Sequence, residues 1–498
     1  MLRLLAALVA CAWLAAAADP PKENGAKEDD AKEMKRFIDA LQIMEENAVD
    51  PIDADQAFYG GAMPGLLRHL DPHSIFFDPD QYGQLKQMET STRKGFGAIV
   101  SVLPGRVLVL QTAPNTPSAR AGMMPGDEIL AVNNYRMDRL EPDQIVELLT
   151  ESKMKPAQLV VRHRVNTLIA QLTLIPEEMQ SSSVERAFEL KPGIAYIRVS
   201  SFDEKTGQQI RSAIETLVGR DLKGLVLDLR NNPGGLMTAA LETASLFLKP
   251  GQMILSVKGR NVPEKIERVP AGARPYTFPV AVIVNAKTAS ASEIVSGALQ
   301  DHDRAVVVGE PSFGKGLVQS VFPLAEKTGL ALTTALYYIP SGRSIQKAFK
   351  LPDFELGATA AHPNERTDFK TDSGRPVPGG GGIVPDIAAF PPELGEFRGI
   401  LEATASFTTF AAQYIGVHKI EPGWEMPPQI LDQFQAFLAE RQIQPGLREW
   451  IANRDFLESR LKTEIYNLAL GVEKGDEVAA QSDPPIQKAL EAVLKGAA

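Results

Sequence analysis

The stretch Val280–Glu310, VAVIVNAKTASASEIVSGALQDHDRAVVVGE, decides the fold. The apolar run VAVIVN reads as a strand. A small-residue turn carrying Ser290 and Ser292 follows, a helix begins at about Ala291, and RAVVVGE is a second strand. The same alternation runs from about Ser183 to Ala389. There IAYIRVSSF and GLVLDLR are further strand candidates, with KTGQQIRSAIETLVG and TAALETASLFL as helices. Alternating strands and helices predict an α/β layer with helices packed on a sheet.

Ser290 lies where a strand ends and a helix begins, a turn that exposes a side-chain oxygen near the positive end of the helix. A serine there is either an N-cap or a nucleophile, and a nucleophile needs a base. The histidines are His69, His73, His163, His302, His362 and His418. Sequence places none of them at this turn: His73 falls in a distant helical segment, and His302, within DHDR, reads as solvated. A lysine can replace histidine when burial leaves it neutral part of the time.

Lys315 suits that role. It lies in GEPSFGKGLVQS, between glycines in an otherwise apolar stretch. The stretch also matches most of the phosphate-loop pattern G-x-x-x-x-G-K-[ST]. But Gly316 stands where Ser or Thr must reach magnesium, and GLVQSVFPL alternates like a strand where a helix is required. The nucleotide reading therefore fails. In a strand, positions 315, 317 and 319 share a face, so Gln319 falls beside Lys315. GLVLDLRNNPGG is a strand running into a glycine turn. The N–H groups of Gly234 and Gly235, together with that of Ala291, are candidate oxyanion donors. Taken alone, Pro-Gly-Gly is a plain turn.

A length of 498 residues predicts several modules. The net charge of -10 argues against a nucleic-acid partner, which needs a basic face. The N-terminus, MLRLLAALVACAWLAAAADPP, has a positive start, a short apolar run and an A-x-A end, the pattern of a cleavable secretory signal. Export across the inner membrane, most simply to a periplasm, is the expectation; lipid anchoring through Cys11, within LVAC, is a minority reading. Cys11 is the single cysteine. Signal removal would leave no thiol for disulfides, thiol catalysis or cysteine-based zinc sites.

Residues 32 to 91 read as helical, with Phe37, Ile38, Leu41, Ile43 and Met44 largely on one stripe. From Gly95 the texture becomes short strands, FGAIVSV, RVLVLQTA and QLVVRHR, with one clear helix, EPDQIVELLTES. The last hundred residues read as helices without a chemical motif.

TASASEIVSGALQD, GEPSFGKGLVQS, DLRNNPGGL, LTTALYYIPSGRSIQ and GGGGIVPDI together resemble the carboxyl-terminal processing proteases, serine peptidases with a Ser–Lys dyad. LDPHSIFF resembles that family's N-terminal helical region. The β-rich module resembles a PDZ domain, with KGFGAIV similar to its carboxylate-binding loop. The resemblance implies that Ser290 is the nucleophile, Lys315 the general base and Gln319 the support of the lysine. Asp301 matches a family acid and reads as structural, and Glu293 reads as a first-turn acid that favours the helix dipole. Gly95, Phe96, Gly97 and Ala98 would hold the carboxylate of an unstructured apolar tail added as a strand. No metal, cofactor or nucleotide is implied.

The expected architecture is a multidomain α/β protein. A signal occupies 1–18, a flexible leader 19–31 and an N-terminal helical region 32–91. An inserted PDZ-like domain (92–178), a serine peptidase core (179–397) and a C-terminal helical region (398–498) follow. The C-terminal helices are expected to mediate dimers, bind an adaptor or cover the site. The alternative is a catalytically silent PDZ-containing adaptor on a protease-like scaffold.

Overall fold

The computed structural model describes residues 28–496 apart from 52, 54, 90–91, 165–166, 181, 219–221 and 348–368. The expected signal with Cys11, most of the expected leader, and His362 lie outside the described residues. Helix α1 (Glu28–Asn47) begins inside the stretch read as leader. Its apolar stripe does not enter a core: Phe37, Ile38, Ile43 and Met44 are exposed. A π-helical turn (Gln56–Ala62) leads into α2 (Met63–Arg68). Within the stretch read as helical, α2 stops at Arg68 and Ile75–Phe77 form strand β1, followed by α3 (Pro79–Glu89).

The β-rich module comes next in the chain: β2 (Thr92–Gly95), β3 (Ala98–Leu103), β4 (Arg106–Thr112), a one-turn α4 (Pro117–Arg120), β5 (Glu128–Val132), β6 (Tyr135–Arg136), α5 (Pro142–Ser152), β7 (Ala157–Arg162), β8 (Ile169–Leu174) and β9 (Glu177–Gln180). Its main sheet has the order β3-β4-β5-β7-β8, with β6 on β5. β2 and β9 pair separately, Thr92 opposite Gln180, so the entry and exit of the module form one ribbon.

The remaining strands and helices are β10 (Val184–Lys191), β11 (Ile194–Val199), α6 (Thr206–Val218), β12 (Gly224–Asp228), α7 (Met237–Ser245), β13 (Met253–Lys258), β14 (Lys265–Arg268), β15 (Val280–Val284), α8 (Ala291–Asp301), β16 (Ala305–Gly309), β17 (Leu317–Pro323), β18 (Gly329–Tyr338), β19 (Phe369–Lys370), β20 (Pro376–Val377) and β21 (Ile387–Ala388). The central sheet has the order β10-β11-β12-β15-β16-β21 and is parallel from β11 onward. A second sheet pairs β18 with β17, β13 and β1.

Strands of a mainly parallel sheet are apolar on both faces because both are covered. Here Leu225, Leu227, Val282 and Val307 face a core shared with Ile210 and Ile214 of α6, Ala240 of α7 and Ile294 and Leu299 of α8. Val226, Ala281, Ile283 and Val308 point the other way. Their cover comes from the far end of the chain. After α9 (Glu396–Ala403), α10 (Ser406–Val417), α11 (Ile430–Glu440), α12 (Leu447–Ala452), α13 (Arg454–Leu470) and α14 (Val472–Ala480), helix α15 (Pro484–Gly496) lays Ile486, Ala489, Leu490 and Val493 on that face. The C-terminal helices thus complete the sandwich. They also reach the β-rich module: Arg164 Nη2 donates to Ile415 O at 3.1 Å, and Leu110 packs against their core.

Candidate active site

The turn after β15 holds Ser290 at φ 56°, ψ -117°. A positive φ on a residue with a Cβ is strained by about 1–3 kcal/mol and persists only where surroundings impose it. Here the surroundings are explicit. Ala289 N–H donates to Asn232 O at 3.0 Å, and Thr288 Oγ donates to Leu229 O at 2.8 Å. Both acceptors lie on the loop after β12, so the two strand ends hold each other.

Glu293, one turn into α8, does far more than complement a helix dipole. One carboxylate oxygen accepts the N–H of Ser290 at 2.8 Å and the N–H of Lys315 at 2.9 Å. The other accepts the N–H of Gly314 at 2.8 Å and the hydroxyl of Ser312 at 2.5 Å. A single fully buried carboxylate therefore ties the Ser290 turn to the Lys315 loop, which lie 25 residues apart. Burial pushes the Glu293 carboxyl up, and these same hydrogen bonds oppose it. Tyr337 adds a second tie, its buried hydroxyl lying between the carbonyls of Ser290, at 3.2 Å, and Lys315.

Lys315 is 4% exposed and donates from Nζ to Gln319 Oε1 at 2.8 Å. Lys315 precedes β17 and so does not share a strand face with Gln319, but the two side chains meet as expected. Gln319 Nε2 in turn donates to His73 O at 2.5 Å. His73, placed by sequence in a distant helical segment, thus belongs to this site. The charged groups Lys315 and Asp71 both act on its imidazole. Its pKa is pushed down to about 4, by burial first and then by the Lys315 charge, against the pull of Asp71.

Ser292 is inside the helix, as expected, and donates to Asn232 O at 3.2 Å. Asp301 pairs with the fully buried Arg343 at 2.9 Å. His302 corrects the sequence reading: it is not solvated among charges, because the 371–375 loop folds over it. Its ring bonds Asp372 and Met253 O, both at 2.7 Å.

Gly234 and Gly235 have φ of 99° and 144°; Gly234 lies against the Ser290 turn and Gly235 against Phe202. A Cβ on Gly234 would fall 2.8 Å from Ser290 Cβ, and one on Gly235 would fall 2.0 Å from Phe202 O. The Gly234 N–H donates to Asn232 Oδ1 at 2.8 Å and is committed to its own loop. No hydrogen bond from the N–H of Gly235 or Ala291 is found among the described residues. Upstream, Arg230 forks onto Asp228 and reaches Asp483, just before α15, at 2.9 Å.

The family profile of Peptidase family S41 matches residues 193–356, and that of the PDZ domain matches residues 85–162. A carboxy-terminal-processing protease of Bartonella bacilliformis is 35% identical over 331 residues, covering 65% of this chain and 74% of the relative. The chain belongs to the carboxyl-terminal processing proteases. A second relative, the carboxyl-terminal-processing protease of Synechocystis, is 33% identical, with 59% of this chain and 69% of the relative covered. The solved photosystem II D1 C-terminal processing protease is 26% identical, covering 64% of this chain and 86% of its own, with a TM-score of 0.37. The protein is a serine-type peptidase with a PDZ domain that binds protein or peptide substrates.

The PDZ domain of this peptidase has an apolar groove of about 530 Å³ between β3 and α5, lined by Phe96, Val100, Val146, Leu149 and Met179 among others. Gly95 closes β2 and Ala98 opens β3, with Phe96 and Gly97 between them. The Phe96 and Gly97 carbonyls are used internally, by Ser118 N–H at 2.9 Å and Ala113 N–H at 2.8 Å. Among the described residues no hydrogen bond from the N–H of Phe96 or Gly97 is found. No described helix is long and apolar enough to cross a membrane.

Proposed function

We propose that Ser290 and Lys315 form the dyad of this peptidase, with Gln319 supporting the lysine. The observation that carries the reading is the shared Glu293 oxygen, which holds the backbone N–H of both residues. Burial favours the neutral amine over the ammonium. Neutral Lys315 takes the Ser290 hydroxyl proton as Oγ attacks the scissile carbonyl carbon. The oxyanion forms against the N–H of Ala291 and Gly235. Collapse breaks the C–N bond, and the lysine returns its proton to the leaving amine. Water then attacks the acyl-enzyme and loses a proton to Lys315; the acyl C–Oγ bond breaks, Lys315 returns the proton to Ser290 Oγ, and the new C-terminus leaves.

The unused N–H groups at Phe96 and Gly97 support binding of a tail carboxylate there, with the tail added as a strand along β3 and its apolar side chains in the groove. Ser290 is 0% exposed. Entry of a peptide therefore requires movement of what covers it, which is a role for tail binding. The A-x-A end of the N-terminal signal supports export to a periplasm. Exposed Leu447 and Ile451 on α12 support contact of the C-terminal helices with a second copy or an adaptor.

The test is cleavage of a protein with a disordered apolar C-terminus. Ser290→Ala and Lys315→Ala are each expected to abolish cleavage without loss of folding. Full activity in either would refute the dyad, and an ATP requirement would revive the phosphate loop.

A further inference from the structure

The segment Leu70–Phe77, LDPHSIFF, is remote from the core motifs in sequence, yet it ends against the base of the proposed dyad. Asp71 is buried and its carboxylate folds the turn: Oδ1 accepts the N–H of His73 at 2.7 Å and of Ser74 at 2.8 Å, and Oδ2 accepts the Ser74 hydroxyl at 2.6 Å. Ser74 Oγ accepts the N–H of Thr333 at 3.2 Å, and β1 pairs with β18 directly after it, Ile75 opposite Ala331. Thr333 is also the cross-strand partner of Gln319. The turn is therefore pinned to the strand pair that carries Gln319.

This pinning settles the Gln319 amide. A backbone carbonyl can only accept, so the contact with His73 O must be made by Nε2. Oε1 is then forced toward Lys315 Nζ, which can only donate while it is an ammonium, and still has N–H to give when neutral. Without the carbonyl, nothing in this pair of contacts prevents the amide from turning its NH2 onto the lysine. The His73 side chain stands half-buried within reach of the Lys315 charge, with Asp71 the other charged group acting on it.

We propose that the Asp71–Ser74 turn is a positioning device of the peptidase site: the His73 carbonyl fixes the Gln319 amide so that its oxygen faces Lys315. The inference rests on Lys315 being the base. The consequence is that the N-terminal region contributes to catalysis although it touches no reacting atom.

The experiment compares kcat and KM on a tail-bearing substrate for wild type, Asp71→Ala, His73→Ala and Lys315→Ala. Asp71→Ala frees the carbonyl and lowers kcat by about tenfold or more without changing KM. His73→Ala keeps the backbone carbonyl and the Asp71 turn, so its kcat stays within about threefold of wild type. Wild-type kcat in Asp71→Ala overturns the carbonyl role. A loss in His73→Ala equal to that in Asp71→Ala overturns it too, since the imidazole and not the carbonyl would then be responsible. Activity in Lys315→Ala is a different failure, that of the dyad. If Asp71→Ala does not fold, Ser74→Ala, which removes the bond to Thr333, takes its place: a loss of kcat at unchanged KM supports the role and wild-type kcat refutes it.

Discussion

Replacing Glu293 by glutamine removes one acceptor from a carboxylate that serves four donors. The two donors on one oxygen, Ser290 N–H and Lys315 N–H, are backbone groups that cannot turn away. The amide nitrogen therefore goes to the other side, where the Ser312 hydroxyl can rotate to accept but Gly314 N–H cannot. One buried N–H left without an acceptor costs about 1–3 kcal/mol. The three remaining bonds lose their ionic partner, at up to about 1 kcal/mol each. Removing a buried charge offsets part of this. The net expectation is a loss of about 2–4 kcal/mol, read by urea unfolding in a Ser290→Ala background to prevent self-cleavage. Activity in the Ser290-containing variant should fall by about a hundredfold or more, because small displacements of reacting groups are costly. Stability within about 0.5 kcal/mol of the parent, together with wild-type kcat, would refute the idea that this carboxylate assembles the site.

Three further expectations follow from the same geometry. His73 has its folded pKa lowered from 6.5 to about 4, so stability present above 6.5 should be lost as pH falls toward 4, by about 3 kcal/mol at most. Urea melts at stepped pH should show this arm shrink in His73→Phe, and identical arms would refute it. Gly235→Ala places a Cβ 2.0 Å from Phe202 O at a φ of 144°, and should cost more than about 2 kcal/mol and most of the activity; an unchanged melting temperature would show that the loop has room. Val146→Asp puts a charge into the PDZ groove and should weaken binding of an apolar tail peptide by about tenfold or more, measured by fluorescence polarisation with the Ser290→Ala enzyme. An unchanged Kd would mean that the groove does not read tails.

The sequence alone determined the α/β core, because apolar strands and amphipathic helices announce themselves by local periodicity. It also marked the Ser290 turn, the Lys315–Gln319 pair and the glycine loop, since each is a short-range pattern with a chemical reason. Three of its misreadings share one cause. Glu293 looked like a first-turn acid that only favours the helix dipole because three of its four donors lie 19 to 22 residues away. His302 looked solvated because its cover arrives 70 residues later. His73 looked remote because 246 residues, including the whole PDZ domain, separate it from Gln319. The helices after 397 carried no motif, yet α15 covers one face of the sheet. Periodicity reports which side of an element is buried but not against what. Only the packing of distant strands decided which carboxylate, carbonyl and helix would meet at the site.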